Sequence, residues 1–176
     1  MRKLLLATLV VTLSACTGLP DGVESVDSVD PERYLGTWYE IARLDHSFER
    51  GLTDVTATYG QREDGGISVL NRGYNAEDGE WNQAEGKAFP LEKGDYSQLK
   101  VSFFGPFYGG YNVVALDPDY QWAMVVGPNR GYLWILAREP ALPESVLNEL
   151  VAKARALEFP TEDLIYVEHG VAPTPD

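Results

Sequence analysis

From residue 37 to residue 138 the chain runs as short apolar stretches separated by polar breaks, and no stretch has the length or period of a helix. The stretches are rich in Val, Ile, Thr, Tyr, Phe and Trp, while the breaks carry Gly, Asp, Asn and Pro. That is the signature of consecutive strands. It predicts strands over 37–44, 55–62, 67–74, 81–89, 99–104, 111–116, 120–126 and 132–138. Asp64-Gly65-Gly66 is a hairpin turn, and Ala76 to Gly79, Glu92 to Asp95 and Asp117 to Asp119 are further tight links. Strands joined by short links are antiparallel neighbours. Eight of them in sequence suit an up-and-down barrel, and no intervening helix supports a parallel sheet.

Helical spacing occurs in one later place. Val146, Leu147, Leu150, Val151, Ala154 and Leu157 recur at i, i+3 and i+4, after Pro143 and Glu144 and before Phe159-Pro160. An amphipathic helix is predicted there, and the barrel's outer wall is the surface that can bury its stripe. A short helical turn is expected at 31–35 and a last short strand at 164–167. The fold class is therefore all-β: an eight-stranded antiparallel up-and-down barrel with one C-terminal α-helix packed outside.

The N-terminus has a different logic. Arg2 and Lys3 precede an apolar run, residues 4–13, that is too short to span a bilayer but suits a signal peptide. The run ends in Leu13-Ser14-Ala15-Cys16, which resembles the lipobox of bacterial lipoproteins. There the cysteine is acylated and becomes the first mature residue. Cys16 is the chain's single cysteine, so a lipid anchor here leaves no thiol for a disulfide, a zinc site or a nucleophile. The expected organisation is a signal peptide at 1–15, an acylated terminus and tether at 16–30, a barrel domain at 31–168 and a disordered tail at 169–176. Thr17 after the cysteine, by resemblance to such lipoproteins, points to a periplasm-facing place in a Gram-negative outer membrane.

Charge narrows the partners. The formal net charge is −13, and loss of Arg2 and Lys3 deepens it. Such a surface excludes nucleic acid, which demands a basic face. No His, Cys or carboxylate spacing suggests a metal, and the glycines sit in turns rather than in a phosphate-cradling loop, so no cofactor is expected. The two histidines, His46 in a loop and His169 near the end, offer no held base for Ser–His–Asp chemistry. No catalytic residue is assigned.

Three local patterns then align: Gly36-Thr37-Trp38, Leu116-Asp117-Pro118-Asp119-Tyr120, and Ile135-Leu136-Ala137-Arg138 just before the helix. Together they resemble the lipocalin family in its three conserved regions. The longer texts GTWYEIARLDHSFERG, SFFGPFYGGYNVVALD and YLWILAREPALP resemble the bacterial outer-membrane lipocalins of the apolipoprotein D-like group. Alternating strand direction from Trp38 brings all three patterns to one end of the barrel. The resemblance implies a closed end built on Gly36, Trp38, Asp117, Tyr120 and Arg138, with the Arg138 guanidinium on the Trp38 indole.

With Trp38 pointing inward, alternation places Glu40 and Ala42 on the same face. The corresponding sets are Val69 with Asn71, Val101 with Phe103, Trp122 with Met124, and Trp134 with Leu136. The expected ligand-binding residues are Glu40, Ala42, Val69, Asn71, Val101, Phe103, Met124 and Trp134. They form an apolar lumen in which Glu40 meets either a ligand head group or a polar network. Phe104, Phe107 and Tyr108 put aromatic surface at the opposite, open end. The resemblance implies a fatty acid, phospholipid or lysophospholipid as ligand and a role in envelope lipid maintenance. A structural or interaction lipoprotein with a filled barrel is the alternative, and a lipocalin-type enzyme a weaker one. A homodimer through the open rim is a further possibility.

Overall fold

A computed structural model describes residues 17–173; the expected signal peptide, Cys16 and residues 174–176 lie outside it. After a one-turn helix α1 (Pro31–Tyr34) come eight strands. They are β1 (Gly36–Arg43), β2 (Leu52–Gln61), β3 (Ile67–Asn75), β4 (Glu80–Glu92), β5 (Asp95–Ser102), β6 (Gly109–Leu116), β7 (Trp122–Val126) and β8 (Leu133–Ala137). The helix α2 (Glu144–Ala156) and a two-residue strand β9 (Ile165–Tyr166) follow. Each strand pairs antiparallel with the next, and β1 pairs with both β2 and β8. The sheet therefore closes on itself, and its eight main strands have no free edge. β9 adds alongside the end of β1 at Ala42 and Arg43.

Two apolar clusters lie back to back across this wall. The inner one takes Trp38, Tyr59, Val69, Ala88, Leu99, Val113, Val125 and Leu136, one from each strand. The outer one joins Ile41, Ala42, Met124, Val126, Leu133 and Ile135 to Leu150 and Ala154 of α2. The stripe of α2 thus buries against β1, β7 and β8 as the spacing predicts. Its first turn carries Glu144 and its last turn Lys153 and Arg155, the order that suits the helix dipole.

The outer cluster corrects two expectations about the lumen. A β-bulge between Glu40 and Ala42 shifts the register against β8, so that Glu40 pairs with Leu136 but Ala42 with Ile135. The extra residue flips the face of everything after it. Ala42 lies on the outer face, and Arg43, paired with Trp134, points inward. Met124 is also on the outer face beneath α2, while Ala123 and Val125 line the interior. β7 is buried on both sides, so its apolar residues show no alternation that could have told inside from outside.

The segments expected to be loose are held. Residues 17–30 run along the barrel rather than away from it. Asn112 Nδ2 donates to the Gly18 carbonyl, Val26 N–H donates to the Val113 carbonyl, and Val23 and Val29 are buried. At the other terminus Val167 N–H donates to the Ile41 carbonyl, and His169 Nε2 lies 2.8 Å from the Glu40 carbonyl oxygen. The amides of Gly170, Val171 and Ala172 all donate to the Asp54 carboxylate. Asp54 itself stands at φ 51, a left-handed conformation tolerated best by Gly, Asn and Asp. Of the expected tail 169–176, residues 169–172 are thus bound to β1 and β2.

Candidate functional site

One end of the barrel is shut. Trp38 is fully buried there and donates through Nε1 to the Tyr34 carbonyl, 2.8 Å away. The guanidinium carbon of Arg138 lies 3.9 Å from the centroid of the Trp38 ring. Arg138 also donates to the carbonyls of Thr37, Arg33 and Tyr120. Gly36, at φ 92, has no Cβ, and one built there would stand 3.4 Å from Arg138 Nη1. Tyr120, at φ 60, accepts from Asp30 N–H through its hydroxyl and carries the Arg33 guanidinium 4.0 Å above its ring. Asp117 fixes the β6–β7 turn by accepting from Gln121 N–H. The five closed-end residues anticipated from the sequence come together at one end.

Above the plug lie three phenols that sequence reading missed. The Tyr111 hydroxyl is 2.8 Å from that of Tyr34 and 2.9 Å from that of Tyr59. Burial raises the pKa of all three, so they stay neutral and satisfy one another. No motif marks them: the three tyrosines lie on α1, β2 and β6, and no local pattern brings side chains of separate elements together.

Higher still sits an acid–arginine–acid cluster. Arg43, 1% exposed, donates through Nη1 to Glu40 Oε1 at 2.7 Å and through Nη2 to the Glu49 carbonyl at 2.7 Å. Glu49 reaches in from the β1–β2 loop and accepts from Trp134 Nε1 at 3.1 Å. Burial, and then the nearby Glu49 charge, push the Glu40 carboxyl up to about 8 against the pull of Arg43. Burial also raises Glu49. One guanidinium thus faces two carboxyls that resist carrying two charges at once. Arg43 Nε and Asn71 Oδ1 are buried without a partner, a donor and an acceptor left over. Arg43 and Glu49 were not legible in the sequence, since the bulge inverts one and the other reads as a solvated loop charge.

Val69, Asn71, Val101 and Trp134 stand on the inner faces of their strands, and Phe103, expected within β5, lies one residue past its end at Ser102 and packs on the inner cluster. Phe103 packs on Gly86, where a Cβ would come within 2.8 Å of its ring. At the mouth His46 stacks between Phe48 and Tyr132, with centroids 5.3 and 4.6 Å away, and against Trp134 at 4.9 Å. Burial, with Arg43 nearby, lowers its pKa and keeps it neutral. It acts as an aromatic part of the rim.

A family model described as a lipocalin-like domain matches residues 29–169. Outer membrane lipoprotein Blc of Escherichia coli (strain K12) is 54% identical over 162 residues, covering 92% of this chain and 91% of that protein. Outer membrane lipoprotein Blc of Vibrio cholerae is 51% identical over 169 residues, covering 96% and 99%. Among solved structures, insecticyanin from the tobacco hornworm Manduca sexta superposes with a TM-score of 0.70 at 22% identity, covering 89% of this chain and 88% of that one.

Proposed function

The chain belongs to the lipocalin family, among relatives that are outer-membrane lipoproteins of Gram-negative bacteria, and from that premise we propose that it carries one elongated lipid in its lumen. The ligand class is a fatty acid, phospholipid or lysophospholipid. The chain is held to the outer membrane by acyl groups on Cys16, and the work is the upkeep of envelope lipids. It is a binding protein, and no residue is given a catalytic role.

The observation that carries this reading is the composition of the interior. All eight strands turn apolar side chains inward, and the charged cluster Glu40–Arg43–Glu49 is confined between the tyrosines and the mouth. An apolar wall with few convergent polar groups is what a ligand site of this kind needs. The acyl chain lies on Val69, Val101 and Phe103. The head group meets Arg43, whose Nε has a free proton, and Asn71, whose Oδ1 has free lone pairs. A barrel filled by its own side chains is the competing reading. It is favoured by the descent of Glu49 onto Trp134 and by the His46 stack across the mouth.

Native mass spectrometry of residues 17–176 after incubation with a bacterial lipid extract separates the two. A stoichiometric adduct of one lipid is expected, and its mass names the class. A folded barrel that emerges bare overturns the carrier reading in favour of the filled barrel. The same spectrum reports whether the chain pairs with itself.

A further inference from the structure

We infer that the open mouth of the barrel faces the lipid bilayer, with Phe104 and Phe107 seated in its interface. This rests on the acyl anchor at Cys16.

The path of the N-terminal segment sets the orientation. A Cβ built on Gly110 would lie 2.8 Å from the Thr17 carbonyl oxygen, so the Thr17 backbone lies directly against the start of β6. The Gly18 carbonyl accepts from Asn112, Arg130 donates to the Asp21 carbonyl, and Val23 is buried in the outer cluster. Residues 17–30 are therefore a strap laid along the barrel from its open end to α1 at its closed end. The anchoring residue is one peptide from the first held position. Successive Cα atoms are about 3.8 Å apart, so the reach of the anchor is counted from Thr17, which lies against the start of β6. To seat the closed end on the membrane, the anchor would have to reach past the length of β6. At about 3.3 Å per residue over eight residues that is roughly 26 Å, and no free chain spans it.

The surfaces at the two ends agree with that placement. Phe104 and Phe107, in the β5–β6 loop, are 80% and 78% exposed, and residues 103–109 contain no charged side chain. Phe48, on the β1–β2 loop across the mouth, is 63% exposed. Exposed rings next to a lipid anchor suit the boundary between head groups and acyl chains. The closed-end turns carry Glu63, Asp64, Asp117 and Asp119, charges that stay in water, while the mouth acids Asp45, Glu77 and Asp78 sit on the β1–β2 and β3–β4 loops and leave the β5–β6 loop as the uncharged part of the rim. With the mouth down, a lipid passes between bilayer and lumen without crossing the periplasmic water.

The acylated lipoprotein tests this in vesicles of phosphatidylethanolamine with a minor fraction of phosphatidylglycerol. Once Cys16 is acylated the chain has no other thiol, so Phe107→Cys and, separately, Asp119→Cys can each carry one environment-sensitive dye. The dye at 107 is expected to shift to the blue and to be quenched severalfold by lipids with a nitroxide in the upper acyl chain, while the dye at 119 is unchanged. Equal or stronger quenching at 119, or no quenching at 107 in protein that floats with the vesicles, overturns the inference alone. A blue shift at 107 without vesicles means that a second copy covers the rings, and also overturns it. Protein that fails to float overturns the anchor and the inference together.

Discussion

Glu40 shows how a single residue links the interior to pH. Its carboxyl is held at about 8 by burial and by Glu49, far above its ordinary value of 4.5. Between those two values the folded chain keeps a proton that the unfolded chain releases, so stability falls as pH rises across this window. One unit of displacement is worth about 1.4 kcal/mol, so the whole effect is on the order of a few kcal/mol. Glu40→Gln keeps a neutral partner for Arg43 and removes the titration. Melting curves from pH 5 to pH 9 are expected to be flatter for this variant, which melts higher than the parent at the alkaline end. Parallel curves for the two proteins would sink the assignment. At the closed end, Arg138 joins a ring contact to three carbonyl bonds. Arg138→Met keeps a long side chain over the indole but loses the charge and the donors, for an expected loss of about 2 kcal/mol or more in urea unfolding. Arg138→Lys recovers only part of it, because a compact ammonium lacks the planar fork whose separate nitrogens reach the three carbonyls while lying flat on the indole.

At the scale of elements, the bulge in β1 and the two held termini govern the site. The bulge delivers Arg43 to the interior, and β9 with residues 167–172 covers the outside of that same strand end. Asp54 is the clasp. Burial pushes its carboxyl up, but the amides of Ala172, Gly170 and Val171 outweigh this and hold it below the usual range. Asp54→Gly, which keeps the left-handed backbone, is expected to free those amides, so hydrogen exchange at Gly170, Val171 and Ala172 accelerates by at least an order of magnitude while the protected amides of β3 and β7 keep their rates. Unchanged exchange at these three positions would show that the tail is held by something else. Neither held terminus was visible in the sequence. Residues 17–30 are mostly polar and acidic, and their grip combines buried Val23 and Val29 with bonds to backbone carbonyls and amides, which every residue carries alike.

For the whole molecule, the strand count, the closure, the outer helix and the convergence of the three motifs were all legible. They follow from local signals: turn residues at short intervals, β-branched runs, one i, i+3, i+4 stripe, and a direction that reverses at every turn. The acidic charge was equally plain, and it leaves the uncharged β5–β6 loop as the part of the surface suited to a membrane. Inner faces were legible for β3, β5 and β8, where Val69, Val101 and Trp134 fall as alternation requires. For β7 they were not, because α2 buries its outer face as completely as the lumen buries its inner one. Met124 and Val125 are then indistinguishable by hydropathy.

The sequence by itself determined a closed antiparallel barrel, its helix, and the meeting of the Trp38 and Arg138 patterns at one end, because each rests on residues near one another in the chain or on counting reversals; that this end is the shut one was implied by the family resemblance. Only the tertiary structure decided what the lumen presents to a ligand. One inserted residue in β1 turned Ala42 out and Arg43 in, and a loop carried Glu49 down to meet it. The tyrosines of three separate elements found one another at the base. Contacts of this kind are made across the barrel, where the stagger of strands sets what meets, and no local pattern of hydrophobic and polar residues encodes that stagger.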